Sequence, residues 1–305
     1  MAFEALPPTC GIDFTQAHSI AEGPTDPESN NVGGKRFVVC VTGAGKGLGF
    51  YIAIAYVKAG ISGLTISSRT QDDLDKLSVE IKKINPNVEI LAQICDTLKD
   101  EDVQHLAKAT KDRFGRLDVC VANAGVISKY LPDGSLPQGI TTDFDFERVI
   151  DINLLGTVRV ARTFTPLLLE SPGAQAFIVI TSLAAHFTHG GLTPIAYNVS
   201  KRAVCHLVEQ MAYDHSKDGL LAYAVHPGAV LTPQTQHHSL EKGDAWDTAL
   251  TDDVGLCGGF LTWLTKERRD WLSGRYVSVN WDVEELEKKK SNILDNDLLK
   301  FRMTV

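Results

Sequence analysis

The sequence predicts a doubly wound α/β fold: one domain in which a buried parallel sheet carries helices on both faces. Three observations point there. Short runs that are apolar on both sides recur along the chain, the first being FVVCV at 37–41. Each is followed by a helix-forming stretch. The first run enters its helix through a glycine-rich turn, Thr42-Gly43-Ala44-Gly45-Lys46-Gly47-Leu48-Gly49. Strands buried on both faces and alternating with helices pair in parallel through right-handed crossovers.

The elements follow in order. After the strand at 37–41 a helix is expected over 48–59, then a strand at 64–67 and a helix over 72–84. A strand at 88–94, a helix over 101–114 and a strand at 117–122 continue the alternation. A long helical region over 144–169 precedes a strand at 177–180, a helix over 196–215, a strand at 221–225 and a last strand at 276–279. Residues 1–34, with Pro7, Pro8, Pro24 and Pro27, read as an extended arm, either packed on the domain or free of it. The α/β domain then occupies 35–280 and a tail 281–305. In the tail, 284–290 is a mixed charge run suited to a solvated helix face. Leu286, Ile293, Leu298, Leu299 and Phe301 suit burial against the body or a partner subunit.

Composition narrows the function. The chain has 305 residues, 44% of them hydrophobic and 22% charged, which suits a globular protein with a large core. Thirty basic residues against 38 acidic ones give a formal charge of −8, which disfavours nucleic acid and an anionic bilayer as partners. No apolar run approaches the roughly 18 residues that span a membrane. No Lys or Arg precedes Lys35, so the charged start of a signal peptide is missing and the expected location is cytoplasmic. The six cysteines, several inside apolar runs, form no C-x-x-C and read as core thiols.

The glycine loop carries the first chemical signal. Gly43 permits a tight turn, Gly47 removes a side chain where backbone approaches a phosphate, and Gly49 lets the helix lie close to the strand. The helix N-terminus then presents free N–H groups to an anion. Placed between a buried strand and a helix, the loop predicts dinucleotide binding; an ordinary glycine turn is the alternative. It lacks the Gly-Lys-Ser/Thr ending of a nucleoside-triphosphatase loop. The second strand ends Ser67-Ser68-Arg69 without a carboxylate for a ribose 2′-hydroxyl, whereas Arg69, aided by Lys46, suits a 2′-phosphate. The expected cofactor is therefore NADP(H) in preference to NAD(H). His186 and His189, and the adjacent His237 and His238, lack the spacing and carboxylate frame of a metal site, and none is expected.

The glycine loop, Asn123-Ala124-Gly125 after the fourth strand, Ser182 after the fifth and Tyr197-x-x-x-Lys201 opening the next helix together resemble the short-chain dehydrogenase/reductase family, in its shorter, oxidoreductase branch. The likeness spans about 35–280 and implies a Rossmann-type domain. Tyr197 and Lys201 share a helix face at i and i+4. A nearby ammonium favours phenolate and brings a phenol toward the range a general acid/base needs. Ser182 can donate a hydrogen bond to a substrate oxygen gaining charge. The resemblance implies that Asn153, in Asp151-Ile152-Asn153-Leu154-Leu155-Gly156, holds a water linking Lys201 to solvent. It also places Asp96 at the adenine and Asn123, Ala124 and Gly125 along the ribose, with the stretch Pro227-Gly228-Ala229-Val230-Leu231-Thr232 at the nicotinamide.

The loops 185–193 and 232–246 are expected to wall a substrate pocket lined by His186, Phe187, His189 and Trp246. The implied activity is hydride exchange between a carbonyl and a secondary alcohol, and the expected substrate is a bulky, partly apolar metabolite. The arm, tail and loops resemble fungal members, which suits specialised metabolism. A homodimer or homotetramer packed through the helices at 144–169 and 196–215 is also implied. The alternative function is a non-redox scaffold that binds the cofactor to sense it, to partner another protein or to steer a cyclisation.

Overall fold

A computed structural model of the chain describes residues 10–235 and 249–303. Its centre is a seven-stranded, wholly parallel sheet in the order β3-β2-β1-β4-β5-β6-β7. β1 (Val38–Val41), β4 (Val119–Ala122) and β5 (Ala176–Ile180) are buried throughout, as their unbroken apolar sequences require. β2 is Gly63–Ser68 and the half-exposed edge strand β3 is Glu89–Ile94; β6 (Leu221–His226) and β7 (Arg275–Ser278) complete the sheet. Helices α1 (Gly47–Lys58), α2 (Gln71–Ile84), α3 (Asp100–Phe114), α4 (Phe146–Ile150), α5 (Gly156–Glu170) and α6 (Ile195–Asp214) lie between successive strands. The order reverses between β1 and β4, and a crevice opens beyond the carboxyl ends of strands at such a reversal.

Two elements depart from expectation. The long helix expected over 144–169 is α4 and α5 joined by a π-helical turn, Asp151–Leu155. Such widened turns are frequent at functional sites, and this one carries Asn153. Before β7 lies an unforeseen helix, α7 (Leu256–Lys266). Its Gly258-Gly259 pair lies within the helix, and each glycine is a contact surface. A Cβ on Gly258 would stand 2.5 Å from Ala55 Cβ and 2.9 Å from the Tyr51 carbonyl, and one on Gly259 would meet the Thr25 carbonyl. α7 therefore lies flush against α1 on one side and the arm on the other.

The described part of the arm is packed. Ala17 bridges Trp281 in antiparallel fashion, and the Val32 N–H donates to the Ala59 carbonyl at 2.8 Å. Buried Asn30 donates from Nδ2 to the Pro24 and Asp26 carbonyls at 3.0 Å and to Thr262 Oγ1 at 3.2 Å. The tail forms α8 (Val283–Lys288) and α9 (Lys290–Asp295), which bury Leu286 and Ile293 in this chain's own core. It then runs beside β7, where the Tyr276 N–H donates to the Leu299 carbonyl at 2.9 Å.

Candidate active site

A crevice of about 400 Å³ opens at the sheet reversal, walled by the segments that follow β1, β2, β3, β4, β5 and β6. The glycine loop forms its floor. Gly43 has φ +64°, and a Cβ there would stand 2.9 Å from Ala124 Cα. On Gly49 a Cβ would collide with the Gly43 carbonyl and lie 2.5 Å from Asn123 Nδ2, so helix and loop touch through that position. Gly45 is hemmed by Ser68 Oγ and Asp73 Cβ, whereas a Cβ on Gly47 would have nothing nearer than Thr232 Cβ at 3.5 Å. The residue before α1 is Lys46, whose side chain caps none of the first-turn N–H groups. An uncapped, positively polarised helix start beside open space fits a phosphate.

Gly45, Lys46, Gly47, Leu48, Ser68, Arg69 and Asp96 all line the crevice. Arg69 is exposed at its rim. Lys46 is not free: its Nζ stands 3.1 Å from Asp73 Oδ2. Asp73, in the first turn of α2, is buried and also lines the crevice. β2 ends without a carboxylate, as read, but the helix after it supplies one. The missed signal was Asp73 itself, an acidic residue in the first turn of the helix that follows Arg69. Asp96 is committed locally, its N–H donating to Asp102 Oδ2 at 2.9 Å and its Oδ1 accepting from the Leu98 N–H at 3.1 Å.

Beyond β4, Asn123 staples two segments together. Its Nδ2 donates to the carbonyls of Thr42 and Gly43, both at 3.0 Å, so the amide is spent on shaping the loop. Ala124 and Gly125 follow along the wall. Asn153 Oδ1 accepts from the Val126 N–H at 2.8 Å, while its Nδ2 donates to the Val126 carbonyl at 2.8 Å and to Ser200 Oγ at 3.0 Å. The side chain thus makes three hydrogen bonds to protein groups, and its main-chain carbonyl accepts from Thr157 Oγ1 at 2.7 Å. Gly125 separates it from Lys201: a Cβ there would lie 3.3 Å from Asn153 Oδ1 and 3.5 Å from Lys201 Nζ.

β5 and α6 bring Ser182, Tyr197 and Lys201 together. Ser182 starts a short 3₁₀ turn, where its Oγ accepts from the Ala184 N–H at 3.1 Å, and its hydroxyl lies close enough to the Tyr197 phenol to favour the phenolate. Lys201 Nζ donates to the Ile180 carbonyl at 2.8 Å and lies 5.4 Å from the centre of the Tyr197 ring. Burial pushes the phenol above its ordinary 10.0, with the Ser182 hydroxyl pulling the other way. Burial lowers the Lys201 ammonium from 10.5 to about 8. In the protein alone desolvation sets the direction for the phenol, and the lowering expected from lysine is not seen.

After β6, Pro227 and Thr232 reach the crevice. Gly228 takes φ +84°, as the turn requires. Val230 is buried, and its backbone is bridged to that of Asp252. Two further contacts went unforeseen. The carboxylate of Asp143, buried, accepts from the Ala196 N–H at 2.9 Å and so caps α6 from 53 positions away, because Pro194 at the helix start offers no cap. Asn198 Nδ2 donates to the His189 carbonyl at 3.1 Å and ties that loop to the same helix.

The expected substrate wall is only partly placed. His189 Nδ1 accepts from the Gly191 N–H at 3.0 Å on an exposed turn, and Phe187 is half-buried beside it. His186 turns away from the crevice: its ring centre lies 4.7 Å from that of Tyr276 and 4.6 Å from that of Phe301, under the tail. Burial there lowers it to about 4, so it is neutral at pH 7. Trp246, His237 and His238 lie outside the described residues. Among the described residues no cluster of His, Cys, Asp or Glu could hold a metal ion, and no helix is long and apolar enough to cross a membrane.

Residues 37–243 match the family model described as short chain dehydrogenase. The chain belongs to the short-chain dehydrogenase/reductase family. Members are oxidoreductases that use a nicotinamide cofactor on small molecules. Its relatives include the short chain dehydrogenase pgmD of Aspergillus terreus, 37% identical over 97% of this chain and 95% of that protein. Another is the short chain dehydrogenase mpl6 of Monascus purpureus, 34% identical over 88% of each. The pgmD match extends across arm and tail, so the additions to the minimal domain are shared with a relative. Among solved structures, a short-chain type dehydrogenase/reductase from Mycobacterium marinum superposes with a TM-score of 0.71 at 21% identity, over 85% of this chain and 98% of that one. At that identity it shows the same fold.

Proposed function

We propose that this short-chain dehydrogenase/reductase is an NADP(H)-dependent carbonyl reductase acting on a bulky, partly apolar ketone. The observation that carries the reading is the convergence of the Ser182 hydroxyl and the Tyr197 phenol beside the crevice, with the Lys201 ammonium behind the ring. The cofactor fits the residues present: an uncapped α1 start and open Gly47 for the phosphates, and Arg69, with no ion pair described, for a 2′-phosphate. When bound, the nicotinamide supplies or accepts the hydride.

The chain's own residues do the rest. Tyr197 donates its phenolic proton to the carbonyl oxygen, and Ser182 donates a hydrogen bond to the same oxygen as charge grows on it. Lys201, protonated below about pH 8, supplies the positive charge that favours the phenolate left behind. Asn153 fixes the π-helical turn against Val126 and Ser200, which keeps the floor beside Lys201 rigid. Fungal relatives of similar length support a role in specialised metabolism. Working as a homodimer or homotetramer is consistent with Phe144, 85% exposed just before α4, and Leu155, 44% exposed at the end of the π-helical turn.

The test is NADPH and NADH consumption across a panel of polycyclic and long-chain ketones, repeated with Arg69→Ala. Faster turnover with NADPH that drops at least about tenfold in the variant, with NADH little changed, supports the assignment. A wild type that binds either cofactor but consumes it with no carbonyl favours the scaffold reading.

A further inference from the structure

The turn after β6 is held by a residue outside every motif. Asp252 Oδ2 accepts from the Ala229 N–H at 2.6 Å and from Asn280 Nδ2 at 2.8 Å, and the Asp252 N–H donates to the Ala229 carbonyl at 3.0 Å. A Cβ on Gly228 would stand 2.8 Å from that same oxygen. Glycine and carboxylate are thus fitted to one another: the left-handed turn exists where the carboxylate fills the space a side chain would take.

The other end of this link is the N-terminal arm. Asn280 Nδ2 also donates to the His18 carbonyl at 2.9 Å, and the His18 N–H returns a bond to the Asn280 carbonyl at 2.7 Å. One residue on, the Asp253 N–H donates to the Ser19 carbonyl at 2.7 Å. The arm is anchored on its own account, with Trp281 Nε1 donating to the Gly11 carbonyl at 2.8 Å and the Asp282 N–H to Thr15 Oγ1 at 2.9 Å. An unbroken run of hydrogen bonds therefore joins a fixed arm to the backbone beside Pro227 and Thr232, which face the crevice.

We infer that Asp252 is a positioning residue for the cofactor-facing turn at 227–232, and that the N-terminal arm, acting through Asn280, is a working part of the cofactor site. This rests on the crevice binding a nicotinamide dinucleotide. The reason is one of populations. A glycine-containing turn without its tie samples several conformations, and the apparent dissociation constant rises by the factor by which the competent fraction falls.

The test is the dissociation constant of NADPH, read from its fluorescence on full-length protein, for wild type, Asp252→Ala, Asp252→Asn and Asn280→Ala, with circular dichroism and melting temperature alongside. Asp252→Ala should weaken NADPH binding about tenfold or more, and Asn280→Ala about three- to tenfold, both in folded protein. Asp252→Asn keeps one acceptor oxygen for both donors and should stay within about threefold of wild type. Unchanged binding in Asp252→Ala overturns the inference, as does an asparagine variant as weak as the alanine one. Should Asp252→Ala fail to fold, Asn280→Ala decides: binding equal to wild type removes the arm from the site. Wild type that binds neither NADPH nor NADH refutes the dinucleotide reading itself, a result separate from any effect of Asp252.

Discussion

Lys201 Nζ lies 5.4 Å from the centre of the Tyr197 ring and donates a hydrogen bond to the Ile180 carbonyl at 2.8 Å. Both groups are held against their solvent preferences. Burial takes the lysine down to about 8 and the phenol above its ordinary 10.0, and each change favours the uncharged form. A site that must later carry a charge on one of them stores that cost in the folded chain.

The cost has a signature in stability against pH. Because the folded-state value for Lys201 is about 8 and the ordinary one 10.5, the unfolded chain binds more protons between those limits. Its contribution to stability therefore rises with pH from about 8 to about 10.5 and is flat below. Thiols such as Cys95, pushed up to about 12, act oppositely at high pH, so the comparison must be differential. Urea unfolding of wild type and Lys201→Met across pH 7 to 11 should show the difference between them shifting toward wild type over this window. A constant difference would mean that the lysine is not desolvated.

Gly49→Ala should damage cofactor binding and fold together. The new methyl would meet the Gly43 carbonyl, Ala44 Cα at 2.9 Å and Asn123 Nδ2 at 2.5 Å, two of them backbone atoms that cannot swing aside. Overpacking of this kind costs about 1–3 kcal/mol. The check is a lowered urea midpoint with a raised NADPH dissociation constant, while wild-type-like values would show that the loop yields.

Gly258→Ala sets two effects against each other. Alanine gains about 1 kcal/mol of helix propensity over glycine. Its Cβ, however, would stand 2.5 Å from Ala55 Cβ and 2.9 Å from the Tyr51 carbonyl. Overpacking at about 1–3 kcal/mol should win, and the melting temperature should fall. A rise would mean that α1 and α7 can separate cheaply.

What the sequence made legible follows from locality. Strands such as Val38–Val41 and Val119–Ala122 were readable because burial on both faces leaves an unbroken apolar run. Ser182, Tyr197 and Lys201 were readable because strand ends and helix spacing bring them together. Asp73, Asp143 and Asp252 were not, because each acts on backbone or charge contributed by a different segment and no spacing rule reports that. α7 was hidden by Gly258 and Gly259, where close packing matters more than propensity. His186 misled because a histidine just after a strand that ends at the crevice reads as a pocket residue, whereas Tyr276 and Phe301, far along the chain, draw its ring under the tail.

The central claim, that Tyr197 delivers the proton while hydride moves, is tested most directly by single-turnover NADPH oxidation with one accepted ketone in wild type and Tyr197→Phe. The phenylalanine variant should bind NADPH with a dissociation constant close to wild type yet oxidise it at least about 100-fold more slowly. Equal rates in the two proteins would contradict it.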